Sequence, residues 1–71
     1  MKLAQGQIWE TAPEVHSYEG KSLYLRIVDL DRKTVRYKEM LTKNTKNGYH
    51  KEATKKVFCG LIKHARLTPE K

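Results

Sequence analysis

Two segments with the residue pattern of β-strands lie on either side of a short polar turn in the middle of the chain. Residues 22–30 and 34–40 are rich in β-forming side chains, and Asp31-Arg32-Lys33 between them has the chemistry of a tight turn. Because alternate residues of a strand point to opposite faces, the pattern predicts a β-hairpin with one buried face. The side chains predicted to face inward are Leu25, Ile27, Val35 and Tyr37.

The register of this hairpin stays open near Val28. A β-bulge there would turn Val28 and Leu30 inward, because an extra residue in one strand exchanges the two faces beyond it.

A second hairpin is indicated by Asn47-Gly48. Both central positions of a type I′ turn need a positive φ, which Asn and Gly tolerate. The pattern predicts a long hairpin whose arms run back to Tyr37 and forward to Phe58. Its tip is polar and rich in lysine, which is typical of a solvent-exposed turn.

The N-terminal part of the chain predicts one short strand followed by a loop. Gln7-Ile8-Trp9-Glu10 reads as a strand that ends before Pro13, with Trp9 in the core. Residues 11–21 contain Pro13 and Gly20 and follow neither the strand period nor the helix period, so they are predicted to be a loop.

The C-terminal segment fits two structures. Apolar residues at positions 57, 58, 61, 62 and 65 have the spacing of an amphipathic helix. Against a helix, Gly60 costs about 1 kcal/mol in a helix interior and Val57-Phe58 favours a strand. We favour a strand over residues 54–58, a tight turn over 59–63 and a last strand over 64–67. The complete predicted core is then Trp9, Leu25, Ile27, Val35, Tyr37, Val57, Phe58, Leu61 and Leu67.

The chain is short and contains few apolar residues. Its 71 residues allow one small domain, predicted to span residues 1–71, and the 38% of hydrophobic residues give a thin core. One cysteine excludes an intramolecular disulfide, no secretion signal is recognisable, and no apolar run approaches the ~20 residues that cross a bilayer. We expect a soluble cytoplasmic protein that does not bind membranes.

Basic residues are concentrated in the second half of the chain. Residues 1–31 carry a net charge of −2, whereas residues 32–71 carry +9, and +7 of this lies within residues 32–56. Such a field attracts polyanions, so DNA or RNA is the first predicted partner and an acidic protein surface the second. The simplest alternative is a lysine-rich surface that only maintains solubility.

Three segments carry a family likeness: Gly6-Gln7-Ile8-Trp9-Glu10, Leu25-Arg26-Ile27-Val28-Asp29, and Val57-Phe58 followed by residues 61–67, which end in Arg66-Leu67. They resemble small SH3-like β-barrel proteins of bacteriophages and bacterial mobile elements, in which a GQ(I/V)W opening and an RL ending are common. The resemblance implies an all-β fold with five strands in a partly open barrel and a single helical turn before the last strand. Such barrels bind nucleic acids or proteins, or act as scaffolds, so the resemblance selects no function.

The residues that could support catalysis or metal binding are few. Four residues separate Cys59 from His64 and there is no second cysteine, so a zinc site would need distant partners. The same two residues could form a nucleophile pair, but so short a chain leaves little room for an oxyanion site and a substrate cleft. We predict no enzymatic activity, no metal and no cofactor.

A basic surface interspersed with aromatic residues is the remaining functional signal. Exposed tyrosines can stack on bases while Arg and Lys neutralise phosphates. The predicted function is a small accessory protein that binds nucleic acid without sequence preference. The predicted binding residues are Tyr24, Arg26, Arg36, Lys38, Lys43, Lys46, Tyr49, Lys51, Lys55 and Lys56.

A protein partner is the second hypothesis. In it, the protein is an interaction module that docks the same basic face on an acidic host protein, as a phage or mobile-element modulator would. Both hypotheses need the same electrostatic field, so the sequence does not separate them. An unprotected edge strand could also pair with a second copy to form a homodimer.

Overall fold

The computed structural model of the protein describes residues 3–42 and 48–68. This part of the chain contains seven strands and one helix, and the longest strands are the two that the sequence predicts as the first hairpin. The elements in chain order are β1 (Ile8–Glu10), β2 (Ser17–Tyr18), β3 (Lys21–Ser22), β4 (Tyr24–Leu30), β5 (Thr34–Met40), β6 (Tyr49–Thr54), α1 (Lys55–Leu61) and β7 (Arg66–Thr68).

Five of the strands form one antiparallel sheet. Strands β4, β5 and β6 follow one another as a meander, and β1 lies between β4 and β7, which gives the order β6-β5-β4-β1-β7. The sheet does not close, so β6 and β7 remain as its edges. The protein is therefore all-β: a small, SH3-like, partly open five-stranded barrel with one short helix before the last strand, as the sequence predicts.

The core lies between one face of the sheet and the helix. Leu25, Ile27, Val35 and Tyr37 face inward as predicted, and the ring centroid of Tyr37 lies 5.1 Å from that of Phe58. Trp9 and Phe58 are also buried as predicted, and Leu61 is partly buried against this cluster. Four further apolar residues that the sequence pattern did not place in the core are also buried: Ile8, Leu23, Met40 and Ile62.

The bulge considered from the sequence is present. The pairing of β4 with β5 shifts between Ile27 and Asp29, so that Asp29 pairs with Arg36 and Leu30 with Val35. Leu30 turns inward and packs against the core, whereas Val28, the extra residue, stays exposed. The prediction that Val28 turns inward is therefore wrong, because the extra residue of a bulge has no partner across the ladder.

The register of the second hairpin differs from the prediction. A two-residue turn at Asn47-Gly48 would pair Tyr49 with residue 46, but Tyr49 pairs with Glu39, and Tyr37 pairs with Lys51. Asn47 itself lies outside the described residues. A Cβ on Gly48 would lie 2.8 Å from Cε of Lys38 and 2.9 Å from the Glu39 carbonyl oxygen. Glycine is thus needed at position 48 for close approach to β5. Strand β6 ends at Thr54, so this arm of the hairpin does not reach Phe58 as predicted.

The predicted strand over residues 54–58 and the turn over 59–63 are wrong, because a helix spans Lys55–Leu61. Thr54 ends β6 and caps the helix, and its Oγ1 accepts a hydrogen bond from the Val57 amide at 3.2 Å. Phe58 and Ile62, four residues apart, both face the core, so Val57 is 55% exposed. The last strand is Arg66–Thr68, and Leu67 is 51% exposed. Val57 and Leu67 are therefore incorrect core predictions.

The segment predicted to be a loop, residues 11–21, contains most of a small two-stranded ribbon. Strands β2 and β3 pair across Glu19 and Gly20, whose φ values are +52° and +78°. The Oγ1 atom of buried Thr11 donates a hydrogen bond to the carbonyl oxygen of His16 and accepts one from the Leu23 amide. One side chain thus connects both ends of the ribbon to the strands of the barrel.

Candidate functional site

The predicted binding residues do not form one surface. Directly paired residues of an antiparallel sheet share a face, so Tyr24, Arg26, Arg36 and Lys38 lie on the face opposite the core. We call this the outer face. Tyr49 and Lys51 pair with Glu39 and Tyr37 and lie on the core side of the edge strand β6. Lys43 and Lys46 lie outside the described residues.

One row of side chains across the outer face is positively charged. Arg26 pairs with Lys38, and Lys38 pairs with His50, so the three lie side by side on β4, β5 and β6. Like charges directly opposite one another weaken strand pairing. Within the described residues, Arg26 forms no ion pair. Arg26 can therefore bind an anion at a place where the fold gains little from its charge.

The neighbouring row is neutralised. Arg36 lies between Asp29 and Glu52, with Nη1 at 3.9 Å from an Asp29 oxygen and Nε at 3.6 Å from a Glu52 oxygen. All three side chains are more than half exposed, so each pair contributes little to stability. The two carboxylates nevertheless reduce the charge that Arg36 presents to an incoming polyanion.

Lys51 is also paired. Its Nζ atom donates a hydrogen bond at 3.0 Å to Oε1 of Glu39, and Nε2 of His16 donates one at 2.8 Å to Oε2 of the same carboxylate. Burial by itself would raise the pKa of Glu39, but the hydrogen bonds from His16 and Lys51 outweigh it, and the pKa lies below its ordinary value. The hydrogen bond to Glu39 raises the pKa of Lys51. Lys51 is committed to this carboxylate and is a weak candidate for phosphate binding.

Lys55 and Lys56 belong to a basic cluster that the sequence pattern did not predict. The amide of Lys55 donates a hydrogen bond at 2.8 Å to the carbonyl oxygen of Lys33, which places the start of α1 beside the turn between β4 and β5. We call Arg32, Lys33, Lys55 and Lys56 the turn-end cluster. Arg32, Lys33 and Lys56 are exposed, Lys55 is half-buried, and none of the four forms an ion pair within the described residues.

The sequence held a signal for this cluster. The pairing of Thr34 with Thr54 leaves Lys33 and Lys55 as the next residues on adjacent strand ends. Arg32-Lys33 and Lys55-Lys56 are each two adjacent basic residues. They would have predicted the cluster if the register of the second hairpin had been known. The one nearby carboxylate of the turn, Asp31, accepts a hydrogen bond from the Arg32 amide at 2.7 Å.

The two tyrosines of the predicted site differ in exposure. Tyr24 is half-buried on the outer face, between Met40 and Glu10 on the adjacent strands. Tyr49 is 74% exposed at the start of β6. Of the two, Tyr49 offers much more of its ring to a ligand.

Two further chemical properties concern the described residues as a whole. Residues 3–42 and 48–68 contain no group of three or more His, Cys, Asp or Glu side chains placed to hold a metal ion. No helix in that part of the chain is long and apolar enough to cross a membrane.

Comparison with known proteins adds no functional assignment. No family model matches the chain, and neither a curated protein nor a solved structure matches it significantly. The likeness to SH3-like proteins of phages and mobile elements therefore stays a prediction.

Proposed function

We propose that the protein binds nucleic acid without catalysing a reaction on it, through basic side chains that contact phosphates. The observation that carries the proposal is the hydrogen bond from Lys55 to Lys33, which joins two basic segments distant in sequence into the turn-end cluster. A fold that brings four cations together without ion pairs among its described residues presents a local field suited to a polyanion.

The charged row of the outer face extends this surface along the sheet. Arg26 and Lys38 lie about midway along β4 and β5, whereas the turn-end cluster lies where β5 begins and β6 ends. Strands rise about 3.3 Å per residue, so the two groups are separated by roughly 15 Å. A phosphate backbone can contact both groups at once, since one strand of duplex carries a phosphate about every 3.4 Å. These contacts carry no base specificity.

A salt titration tests the proposal directly. Binding to mixed-sequence DNA and RNA is measured by fluorescence anisotropy between about 50 and 200 mM salt. If five side chains contact phosphates of a duplex, log K falls against log salt with a slope of roughly −4 to −5. Replacing all four residues of the turn-end cluster with Gln should weaken binding equally across sequences and reduce that slope by about 3 to 4 units.

Matched variants separate a binding surface from total charge. Lys55→Gln with Lys56→Gln removes two charges from the cluster, and Lys63→Gln with Arg66→Gln removes two exposed charges elsewhere. We expect the first pair to lower affinity more than the second. We also expect Arg26→Gln to weaken binding more than Arg36→Gln, because Arg36 already lies between two carboxylates.

Two results would contradict the proposal. One is the absence of binding to DNA and RNA at about 50 mM salt, and the other is an equal loss of affinity in the cluster variant and its charge-matched control. Either result would favour an acidic protein surface as the partner of the same residues.

A further inference from the structure

An open groove lies between the β2–β3 ribbon and the end of the β5–β6 hairpin near Met40 and Tyr49. It has a volume of about 1040 Å³. Three exposed apolar side chains line it: Tyr18 is 56% exposed, Leu41 62% and Tyr49 74%. Single exposed apolar residues are common on protein surfaces, but several around one groove form a patch of the kind that binds a ligand.

The electrostatics of the groove favour an anionic ligand. Glu39 lines the groove, but both of its carboxylate oxygens accept hydrogen bonds, from His16 and from Lys51. His50 also lines it, and the side chain of Lys38 lies against Gly48 at its edge. The negative charge of the groove is therefore already compensated, and the nearby charge of the outer-face row is positive.

The two tyrosines have ring faces that are free to stack. Within the described residues, the one close ring pair is Tyr37 with Phe58 in the core, so Tyr18 and Tyr49 stack on no other ring. Their exposure leaves ring surface in contact with solvent. Aromatic side chains beside basic ones are the combination that proteins use to bind unpaired bases, because every base has a π-face.

We propose that this groove holds unpaired bases of a single-stranded nucleic acid, which stack on Tyr18 and Tyr49 while the strand's phosphates contact the neighbouring basic side chains. The inference rests on the proposed function and adds the strandedness of the ligand. In a duplex the bases are stacked on one another inside the helix, so they cannot reach the tyrosine rings. An acidic peptide would satisfy the charges but would not supply flat rings for both tyrosines.

Three probes of equal length separate base stacking from phosphate contacts. They are a twelve-residue oligothymidine, an abasic strand with the same backbone, and a mixed-sequence duplex of twelve base pairs, each measured by anisotropy at one low salt concentration. Stacking on an aromatic side chain is worth a factor of about 5 to 150 in affinity for each base. We expect the oligothymidine to bind at least fivefold more tightly than the abasic strand.

Variants assign that preference to the two rings. Tyr18→Ala combined with Tyr49→Ala should remove the preference for oligothymidine and leave affinity for the abasic strand unchanged. Tyr18→Phe combined with Tyr49→Phe keeps both rings and should retain the preference. Val57→Ala is the control, because Val57 is an apolar residue on the helix that is as exposed as Tyr18 and does not line the groove. Both tyrosines are exposed, so these variants should fold, which circular dichroism checks.

The outcomes distinguish this inference from the proposed function. Equal affinity for the three probes, unchanged in the double Ala variant, would overturn the inference and leave phosphate binding intact. Failure to bind any of the probes at about 50 mM salt would overturn the proposed function and the inference with it.

Discussion

Nε2 of His16 donates a hydrogen bond to Oε2 of Glu39 across 2.8 Å and so connects the β2–β3 ribbon to strand β5. The side chain of Glu39 is only 14% exposed, and its other oxygen accepts a hydrogen bond from Lys51 on β6. One carboxylate thus holds three segments together at the edge of the groove. Hydrogen bonds to a charged group in a partly buried place are stronger than those between neutral groups.

This arrangement predicts a loss of stability in acid. The folded protein holds the pKa of Glu39 below the ordinary value of 4.5, so the ionised carboxylate stabilises the fold fully above the unfolded pKa. That contribution is lost as the pH falls through the folded pKa. Glu39→Gln should lower the free energy of unfolding by about 1 to 3 kcal/mol near neutral pH. The gap between the two proteins should narrow as the pH is lowered from 5 toward 2.

Thermal unfolding followed by circular dichroism at several pH values measures that gap. Glu52→Gln is the matched control, since Glu52 also forms an ion pair on a neighbouring strand but is 57% exposed. A gap of constant size from pH 5 to 2 would show that the ionisation of Glu39 does not stabilise the fold.

Thr11→Val should destabilise the ribbon more than its small change in shape suggests. Val has nearly the shape of Thr but cannot accept the hydrogen bond from the buried Leu23 amide or donate one to the His16 carbonyl. Leaving a buried group without its partner costs about 1 to 3 kcal/mol. Thr11→Ser keeps the hydroxyl and should lose less. Urea unfolding compares the two variants, and equal losses would show that the hydroxyl contributes nothing.

The first hairpin could be predicted from sequence because local pattern and tertiary packing agree there. Leu25, Ile27, Val35 and Tyr37 alternate with polar residues on both sides of a turn, and the same residues form the core. The helical alternative for residues 55–61 was the less favoured one, because Val57-Phe58 and Gly60 locally disfavour a helix. Packing of Phe58 and Ile62 on the sheet, together with the Thr54 cap, outweighs those preferences.

The candidate site depended on registers that sequence patterns do not set. The bulge brings Asp29 rather than Val28 opposite Arg36, and this one-residue shift gives Arg36 a carboxylate partner. The pairing of Tyr37 with Lys51 likewise brings Lys51 close to Glu39. The sequence shows how many charged residues the chain has. Strand pairing decides which of the basic residues lie close enough to a carboxylate to form an ion pair.

Truncation should destabilise the protein strongly at Phe58 and hardly at all at its neighbour Val57. Phe58 is fully buried, so Phe58→Ala removes a large core side chain at a cost of about 3 to 5 kcal/mol. A single core in a chain of 71 residues supplies about 3 to 5 kcal/mol of stability, so this variant should be largely unfolded or close to it. Val57→Ala on the exposed side of the helix should change stability by about 0.5 kcal/mol or less. Urea unfolding measures both, and a large loss at Val57 would place that side chain in the core.

Gly20 and Gly60 should also respond with opposite signs to the same substitution. A Cβ at either position meets no atom within 4 Å, so only the backbone conformation distinguishes them. Gly60 lies in α1, where alanine is favoured over glycine by up to about 1 kcal/mol. Gly20 has a φ of +78°, where an L-residue costs about 1 to 2 kcal/mol.

Gly60→Ala should therefore raise the thermal midpoint and Gly20→Ala should lower it, each by about 4 to 8 °C per kcal/mol for a domain of this size. Gly20→Asn serves as the control for conformation, because Asn tolerates a positive φ better than alanine does. We expect it to recover part of the loss. If Gly20→Ala and Gly20→Asn are equally stable, tolerance of a positive φ is not the reason that glycine stabilises the ribbon turn.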